Sequence, residues 1–331
     1  MARSDLLKLL FAAYSRGDDA EFRRAASRIV EDERRKHHEL LANDLQQALT
    51  RDRRPGAETP LTMQPLPKGR DERPLLSLTK PARELDDLVL SADTANLLRE
   101  LIEENRSRSV LASHGLRPRQ RLLFVGPSGT GKSASAHAIA AELSLPVATV
   151  SLAALTSSYL GETARNVESV VRFAERTPCV LLFDEFDAIS ADRGIGVDHA
   201  ELRRVVATVL QLLEQMHGES VLVSTSNYPG LLDEAVWRRF DEVAEFKMLS
   251  SKALEELIEL KLQAVPHRID THRWADKLAS LAPAEVEAAC LHAMRRWALS
   301  GVAKLTDDHM AIAADRLEQR NEITRSPSVL R

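Results

Sequence analysis

The stretch Gly126-Pro-Ser-Gly-Thr-Gly-Lys132-Ser133 decides which fold this sequence predicts. It follows the apolar run 121–125 and precedes the alanine-rich stretch 134–142. A buried strand, a glycine-rich turn and a helix in this order form a site where backbone N–H groups and the helix N-terminus attract phosphate. The candidates for contact with a polyphosphate are Gly126, Pro127, Ser128, Gly129, Thr130, Gly131, Lys132, Ser133 and Ala134.

Two side chains of this loop have separate expected tasks. The Lys132 ammonium is a point charge for the outer phosphates, and the Ser133 hydroxyl is a ligand for Mg²⁺. The alternative is a glycine-rich turn that binds nothing. The strand and helix signals on the correct sides favour the phosphate-binding loop, so a polyphosphate and Mg²⁺ are the expected ligands.

Two acids end a second apolar run, Cys179-Val-Leu-Leu-Phe-Asp184-Glu185. A continuous apolar run predicts a central parallel strand, whose carboxyl end lies at the sheet edge where ligands bind in open α/β folds. Asp184 is then a candidate for holding Mg²⁺, and Glu185 for accepting a proton from the water that attacks the γ-phosphate. The alternative is an acidic pair that only ends a strand.

Polar and basic groups further along the chain are candidates for the same chemistry. The stretch 220–227, an apolar run that ends in small polar residues, predicts a strand ending at Asn227, which would reach the γ-phosphate if this strand lies beside the acidic one. Otherwise Asn227 is a turn residue before Tyr228. Arg238 and Arg239 end a short helical pattern, and arginine can clamp transition-state charge on a phosphoryl group from a neighbouring subunit.

The composition favours a soluble intracellular protein, which we expect to be cytoplasmic. The 331 residues are 44% hydrophobic with a net charge of −4, and this balance argues against wholesale nucleic-acid binding. No apolar run approaches the length needed to span a membrane. Cys179 and Cys290 are expected to be small buried hydrophobes rather than disulfide or metal ligands.

The sequence pattern predicts an α/β protein with a parallel-sheet, three-layer domain followed by a small helical domain. Apolar runs predict further strands, including one at 146–150. After residue 250 the apolar residues follow a helical pattern that predicts four helices. The expected segments are a helical recruitment or docking region at 1–50, a proline-rich linker at 51–80, the α/β domain at 81–249, the helical domain at 250–320 and a polar tail at 321–331.

The phosphate loop, the Asp184-Glu185 strand, Asn227 and the Arg238-Arg239-Phe240 block together resemble the AAA ATPases over about residues 81 to 320. The resemblance implies a P-loop ATPase domain with a helical lid and Mg²⁺-dependent ATP hydrolysis. It also implies that Asn227 is the sensor-1 residue and that Arg238 and Arg239 complete the site of an adjacent protomer. A homo-oligomeric ring, most simply a hexamer, follows from that arrangement.

The resemblance also implies a protein client. The run Ser158-Tyr159-Leu160-Gly-Glu162 is similar to the family's first pore loop, in which an aromatic and an aliphatic side chain grip a polypeptide. Residues 193–197 lie where a second pore loop is expected. Tyr159 and Leu160 are therefore candidates for client contact; the alternative for Tyr159 is ordinary packing.

Some positions depart from the family pattern. The Arg-Arg-Phe spacing is most similar to the severing and membrane-remodelling members, Ser151 stands where many relatives have Asn, and Leu260 or Lys261 lies near the position of a lid histidine. Two other functions stay open. One is a nucleic-acid motor or loader, suggested by the arginines near the phosphate-loop strand, and the other is an ATP-dependent switch or assembly factor that docks a separate enzyme such as a protease.

Overall fold

The computed structural model describes residues 25–29, 65–81, 83–155, 160–187, 211–212, 214, 216–231 and 234–325. These fall in two compact units, Met1–Gln64 and Pro65–Arg331. Within the first unit, residues 25–29 are helical. The predictions for Tyr159, for residues 193–197 and for most of residues 1–50 lie outside the described residues, as does the side chain of Leu160.

A six-stranded sheet forms the centre of the second unit. Its strands are β1 (Leu76–Thr79), β2 (Arg121–Val125), β3 (Val147–Val150), β4 (Val180–Phe183), β5 (Val221–Ser226) and β6 (Glu242–Glu245). They lie in the order β1-β3-β4-β5-β2-β6. The β1–β3 pair is antiparallel, and the other pairs are parallel.

Helices cover both faces of the sheet. On one face, Leu98 and Ile139 pack against strand residues such as Phe124; on the other, Val170 packs with Phe183. Strand side chains alternate between faces, so these apolar runs are buried on both sides. Where the structure describes this part of the chain, its helices are Ala92–Arg106, Arg108–Ser113, Lys132–Glu142, Leu152–Leu155, Leu160–Arg176 and Glu234–Trp237. The predicted three-layer α/β architecture is confirmed.

Four helices follow the sheet, as the sequence predicts: Ser251–Leu262, Thr271–Lys277, Pro283–Ser300 and Asp307–Arg325. We call residues 251–325 the lid. The first helix begins at Ser250, whose side chain accepts a hydrogen bond from the Ala253 amide. Apolar side chains from these helices, such as Leu254, Trp274 and Met310, share one buried cluster.

Two edge strands were not predicted. β1 lies inside the stretch 51–80 that was interpreted as a linker without a core, yet Leu75 and Leu76 are buried. The prolines of this stretch concealed a four-residue strand. β6 was missed because its sequence, Glu-Val-Ala-Glu, carries a charged residue at each end and is too short for an alternating pattern.

Both cysteines are free and buried, as expected. Burial raises the pKa of Cys179 to about 11 and that of Cys290 to about 12, so both thiols stay protonated near neutral pH. Within the described residues, no helix combines the length and the apolar character that a membrane span requires.

The structure predicts opposite sensitivities for two glycines with positive φ. Gly126 has φ +143°, and a Cβ there would lie 2.0 Å from the Phe246 carbonyl oxygen; Gly115 has φ +74° and no atom within 4 Å of such a Cβ. Gly126→Ala should lower the free energy of unfolding by at least about 3 kcal/mol, because backbone strain and overlap add. Gly115→Ala, the matched control, should cost only about 1 kcal/mol of strain. Urea denaturation followed by circular dichroism measures both, and equal losses would contradict the prediction.

Candidate active site

The phosphate loop connects β2 to the helix Lys132–Glu142, as the sequence predicts. Gly131 caps this helix in the left-handed region, with φ +101°. The Thr130 hydroxyl donates a hydrogen bond to the Pro127 carbonyl, 2.8 Å away, and thereby closes the turn. The loop lies at the carboxyl end of the parallel strands, where the helix N-terminus adds partial positive charge.

Lys132 is almost fully buried, with 6% of the residue exposed. Its ammonium donates to the carbonyl oxygens of Gly126 at 2.8 Å and Pro127 at 2.7 Å. Burial lowers the pKa of Lys132, while the negative charges of Asp184, Asp187 and Glu185 oppose that shift. The loop therefore already holds its cation in place beside the position where phosphate would enter.

The acidic turn after β4 meets the phosphate loop through hydrogen bonds on one oxygen. Asp184 Oδ1 accepts from the Ser133 hydroxyl at 2.7 Å and from the Thr225 hydroxyl at 2.6 Å. A hydroxyl and a carboxylate are ligands that suit Mg²⁺, so the two predicted metal ligands lie together and fit that ion. Sequence reasoning missed Thr225, although the alternation of side chains along 220–227 gave a signal that could have placed it on the same face as Val223.

Glu185 lies in the turn after β4, and Asn227 directly follows the last residue of β5. Glu185 is exposed and has φ +54°, an uncommon conformation for a residue with a side chain. The backbone N–H of Asn227 donates a hydrogen bond to Asp187 Oδ1 at 3.3 Å. Because β5 pairs with β4, the acidic turn and the polar end of β5 are adjacent, as the sequence hypothesis required.

A cavity of about 270 Å³ opens in front of these groups. Lys132, Ser133, Asp184, Glu185 and Asn227 line it at the phosphate end, and lid residues form another part of its wall. The cavity therefore brings together all the candidate catalytic and metal-binding residues except the arginine pair.

The lid begins against the phosphate loop. The Ala284 amide N–H donates to the Gly129 carbonyl at 3.0 Å. A Cβ on Gly129 would lie 3.1 Å from the Ala282 Cβ and 3.3 Å from the Ala284 Cβ, so this close approach requires glycine. The contact joins the phosphate loop directly to the first turn of the helix Pro283–Ser300.

A polar cluster at the cavity wall consists of Arg83, Lys261 and Glu287, and sequence reasoning did not assemble it. Arg83 Nη2 lies 2.7 Å from Glu287 Oε1, and Lys261 Nζ lies 3.4 Å from the same oxygen. Of the two residues near the expected position of a lid histidine, Lys261 lines the cavity and Leu260 does not. Burial alone would raise the pKa of Glu287. The hydrogen bond and charge of Arg83, together with the charge of Lys261, lower it by more than burial raises it, so the pKa lies below the ordinary value.

Arg238 and Arg239 lie at the opposite edge of the sheet. They precede β6, and the Asp241 amide N–H donates to the carbonyl of Arg121, the first residue of β2. The phosphate loop begins at the other end of β2, directly after Val125. At roughly 3.3 Å per residue, about 16 Å of strand separates the start of the phosphate loop from Arg121, the strand residue that Asp241 contacts. Arg239 Nε lies 3.6 Å from Glu214 Oε1. Neither arginine lines the cavity of its own chain.

Comparisons with known proteins agree with this geometry. The profile of the family described as "ATPase family associated with various cellular activities (AAA)" matches residues 122–248. Over 296 residues the chain is 38% identical to "Uncharacterized AAA family ATPase y4kL" of Sinorhizobium fredii, covering 89% of each chain.

Two longer relatives match over a shorter range. Identity is 34% over 182 residues to the peroxisomal ATPase pex6 of Schizosaccharomyces pombe, covering 53% of this chain and 19% of that protein. It is 32% over 196 residues to the katanin p60 ATPase-containing subunit A1 of Strongylocentrotus purpuratus, covering 54% and 38%. The chain therefore spans well under half the length of these two relatives.

The polar cluster predicts a pH-dependent coupling between Arg83 and Glu287. In a double-mutant cycle with Arg83→Met and Glu287→Gln, the coupling at pH 7 should be at least about 1 kcal/mol, because the bond is charge-assisted and partly buried. A lowered folded-state pKa stabilises above the unfolded pKa of about 4.3, and this contribution is lost as the pH falls through the folded value. Urea denaturation at pH 7 and near pH 3 measures the change.

The matched control for this cycle is the exposed pair Arg172–Glu168, one turn apart on a helix with 64% and 48% of the side chains exposed. Its coupling should stay below about 0.5 kcal/mol at either pH. Equal coupling for the two pairs, or a coupling of Glu287 that survives acid, would contradict the assignment.

Proposed function

Because this chain belongs to the AAA family of ATPases and is itself an ATPase, we propose that it works as a Mg²⁺-dependent ring motor that remodels protein clients. The single observation that carries this proposal is the separation of the arginine pair from the cavity of its own chain. Arg238 and Arg239 follow the helix Glu234–Trp237 at the amino-terminal edge of β2, whereas the cavity opens at its carboxyl edge. A second copy of the chain is therefore needed to bring this arginine pair to the phosphates.

The residues at the phosphate end divide the hydrolysis step between them. Lys132 and the loop amides hold the phosphates, and Ser133 and Asp184 hold Mg²⁺. Mg²⁺ bound there would neutralise charge on the phosphate oxygens. Glu185 accepts a proton from the attacking water, and Asn227 orients that water from the adjacent strand.

The arginine pair completes this site across a subunit boundary. Arginine that stabilises the charge of a transferring phosphoryl group can be supplied by a neighbouring protein. Each subunit would offer its cavity to one neighbour and its arginine pair to the other, and contacts of this head-to-tail kind form a ring where the rotation between subunits closes. A hexamer is the ring size that we propose.

The client is proposed to be protein rather than nucleic acid. Two arginines that gave a nucleic-acid motor some support are already neutralised: Arg119 pairs with Glu104 at 2.5 Å and with Glu242, and Arg121 pairs with Asp241 at 2.5 Å. Arginines that are already paired with carboxylates have less charge to offer to a phosphate backbone, whose neutralisation by Lys and Arg supplies most of the affinity of non-specific binding. Tyr159 and Leu160 are the proposed client contacts. In the sequence they stand at the start of the helix Leu160–Arg176, of which Leu160 is the first residue.

Complementation between two inactive variants tests the shared site. Glu185→Gln should bind ATP but hydrolyse it about a hundredfold more slowly or worse, because the water loses its base. The double variant Arg238→Ala/Arg239→Ala should be similarly slow. In an equimolar mixture, about a quarter of interfaces combine an intact Glu185 with an intact arginine pair, so phosphate release should recover towards a quarter of the wild-type rate.

The matched control mixes Glu185→Gln with Lys132→Ala. Both defects lie in the cavity of the same chain, so no interface regains a complete site and the mixture should stay inactive. Recovery in this control, or its absence in the arginine mixture, would contradict a site shared between neighbours.

Client contact is tested with an unfolded protein as the probe. Unfolded casein should stimulate ATP turnover of the wild-type chain, Tyr159→Ala should abolish this stimulation, and Tyr159→Phe should retain it because the aromatic ring remains. Phosphate release with and without casein measures the effect. Stimulation by single-stranded DNA with a steep salt dependence would instead favour a nucleic-acid motor, and no response to either polymer would favour an ATP-dependent switch.

A further inference from the structure

We propose that Thr225 is a positioning residue for ATP hydrolysis, whose hydroxyl fixes both the Asp184 carboxylate and the backbone that carries Glu185. The inference rests on the proposed roles of those two acids. Thr225 lies on β5, two residues before Asn227, and only 1% of it is exposed. It lies on the sheet between the phosphate loop after β2 and the acidic turn after β4.

The hydrogen bonds of Thr225 have one consistent direction. A hydroxyl carries one proton and can both donate and accept. Thr225 Oγ1 accepts from the Glu185 amide N–H at 2.9 Å and donates to Asp184 Oδ1 at 2.6 Å. The amide can only donate and the ionised carboxylate can only accept, so the proton of the hydroxyl points at Asp184.

The same residue also holds the next peptide of the acidic turn. The Phe186 amide N–H donates to the Thr225 carbonyl oxygen at 2.8 Å. Two consecutive amides of the turn, those of Glu185 and Phe186, are therefore bound by a single residue of β5. Such a pair of bonds fixes the direction in which the Glu185 side chain leaves the backbone.

This support matters because Glu185 has a strained backbone. Its φ of +54° is in the left-handed region, which residues with a Cβ adopt at a cost and which persists only where the surroundings impose it. The Thr225 hydroxyl and carbonyl are two groups that impose it. Without the hydroxyl, the Glu185 amide loses this hydrogen bond, and the carboxylate is held less firmly relative to the γ-phosphate.

Asp184 depends on the same hydroxyl from a different side. Its Oδ1 accepts hydrogen bonds from Thr225 on β5 and from Ser133 on the phosphate-loop helix. The Ser133 hydroxyl is a proposed Mg²⁺ ligand, whereas Thr225 belongs to the sheet beneath. Thr225 therefore supplies a bond that does not depend on the phosphate loop, and it connects the proposed metal ligand to the proposed base.

The experiment compares three substitutions on β5. Thr225→Val keeps the branched shape and removes the hydroxyl, and Thr225→Ser keeps the hydroxyl and removes the methyl. Ser224→Ala is the matched control, because Ser224 is also fully buried on β5 but its Oγ has no hydrogen-bond partner among the described residues. Steady-state ATP turnover, the KM for ATP, the Mg²⁺ dependence and circular dichroism are measured for each variant.

The hydroxyl accounts for the expected differences. Thr225→Val should lower kcat about tenfold or more, the loss expected from misplacing a catalytic group. KM for ATP should change less than about threefold, because the loop that binds the phosphates is intact. Thr225→Ser and Ser224→Ala should both retain kcat within about threefold of the wild type. A split between kcat and KM with rescue by serine distinguishes positioning from a general loss of structure.

Three results overturn the inference. Wild-type kcat in a folded Thr225→Val shows that the hydroxyl is not needed. A Thr225→Ser variant that loses activity shows that the methyl group matters instead, and this comparison decides the question even if Thr225→Val does not fold. Loss of kcat in Ser224→Ala shows that any change on this strand has the same effect. Glu185→Gln is assayed in parallel: if that variant keeps turnover, the proposed function fails, whereas its inactivity beside an active Thr225→Val rejects the positioning role alone.

Discussion

Two hydrogen bonds to the Asp184 carboxylate join the parts of this site, and the strand order makes them possible. β5 lies between β4 and β2, so the acidic turn and the phosphate loop follow strands that are not neighbours. Parallel strands lie about 4.8 Å apart, so a residue of the middle strand can contact the segments after both of its neighbours only where the strands end at similar levels. Phe183, the last residue of β4, is beside Ser224, and Val125, the last residue of β2, is beside Ser226, so the two strands end within two residues of each other on either side of the level of Thr225. The sheet thereby brings the Ser133 and Thr225 hydroxyls to one oxygen of the Asp184 carboxylate, Oδ1.

The lid forms the other wall of the cavity and is fixed to the phosphate loop by short contacts. The bond from the Ala284 amide to the Gly129 carbonyl requires that the lid helix starts against the loop itself. The Arg83–Glu287 pair adds a second attachment, 204 residues apart in sequence, between the segment after β1 and the lid. Both attachments lie at the cavity wall, so the phosphate loop and the lid share the contacts that surround a bound ligand.

The sequence predicted the parts of the site that depend on local pattern. Glycine spacing, a flanking strand and a flanking helix identified the loop around Lys132, and an apolar run ending in acids identified Asp184. Each of these features lies within a short run of consecutive residues, so it can be recognised without the tertiary structure.

Arg83 and Glu287 were beyond reach because their pairing is tertiary, and for Thr225 the alternation along β5 indicates its face but not its bonds to Asp184 and Glu185. Residue 83 and residue 287 are ordinary surface charges in the sequence, and only the position of the lid brings them together. β1 was missed for a related reason, since its four residues gain their stability from β3 rather than from their own pattern. Its burial is visible only once the sheet is assembled.

Charge at the amino-terminal edge of the sheet connects the fold to the proposed assembly. Arg119 and Arg121 are held by carboxylates on neighbouring elements, and Asp241 in turn accepts the Arg121 guanidinium. Ion pairs that cross between β2 and the start of β6 keep this edge rigid, so the segment carrying Arg238 has a fixed base. A guanidinium offered to a neighbouring site must be placed within hydrogen-bond reach at the moment of phosphoryl transfer. An arginine pair on a loose loop would meet that requirement rarely, whereas one anchored beside a paired strand would meet it each time the proposed neighbour docks.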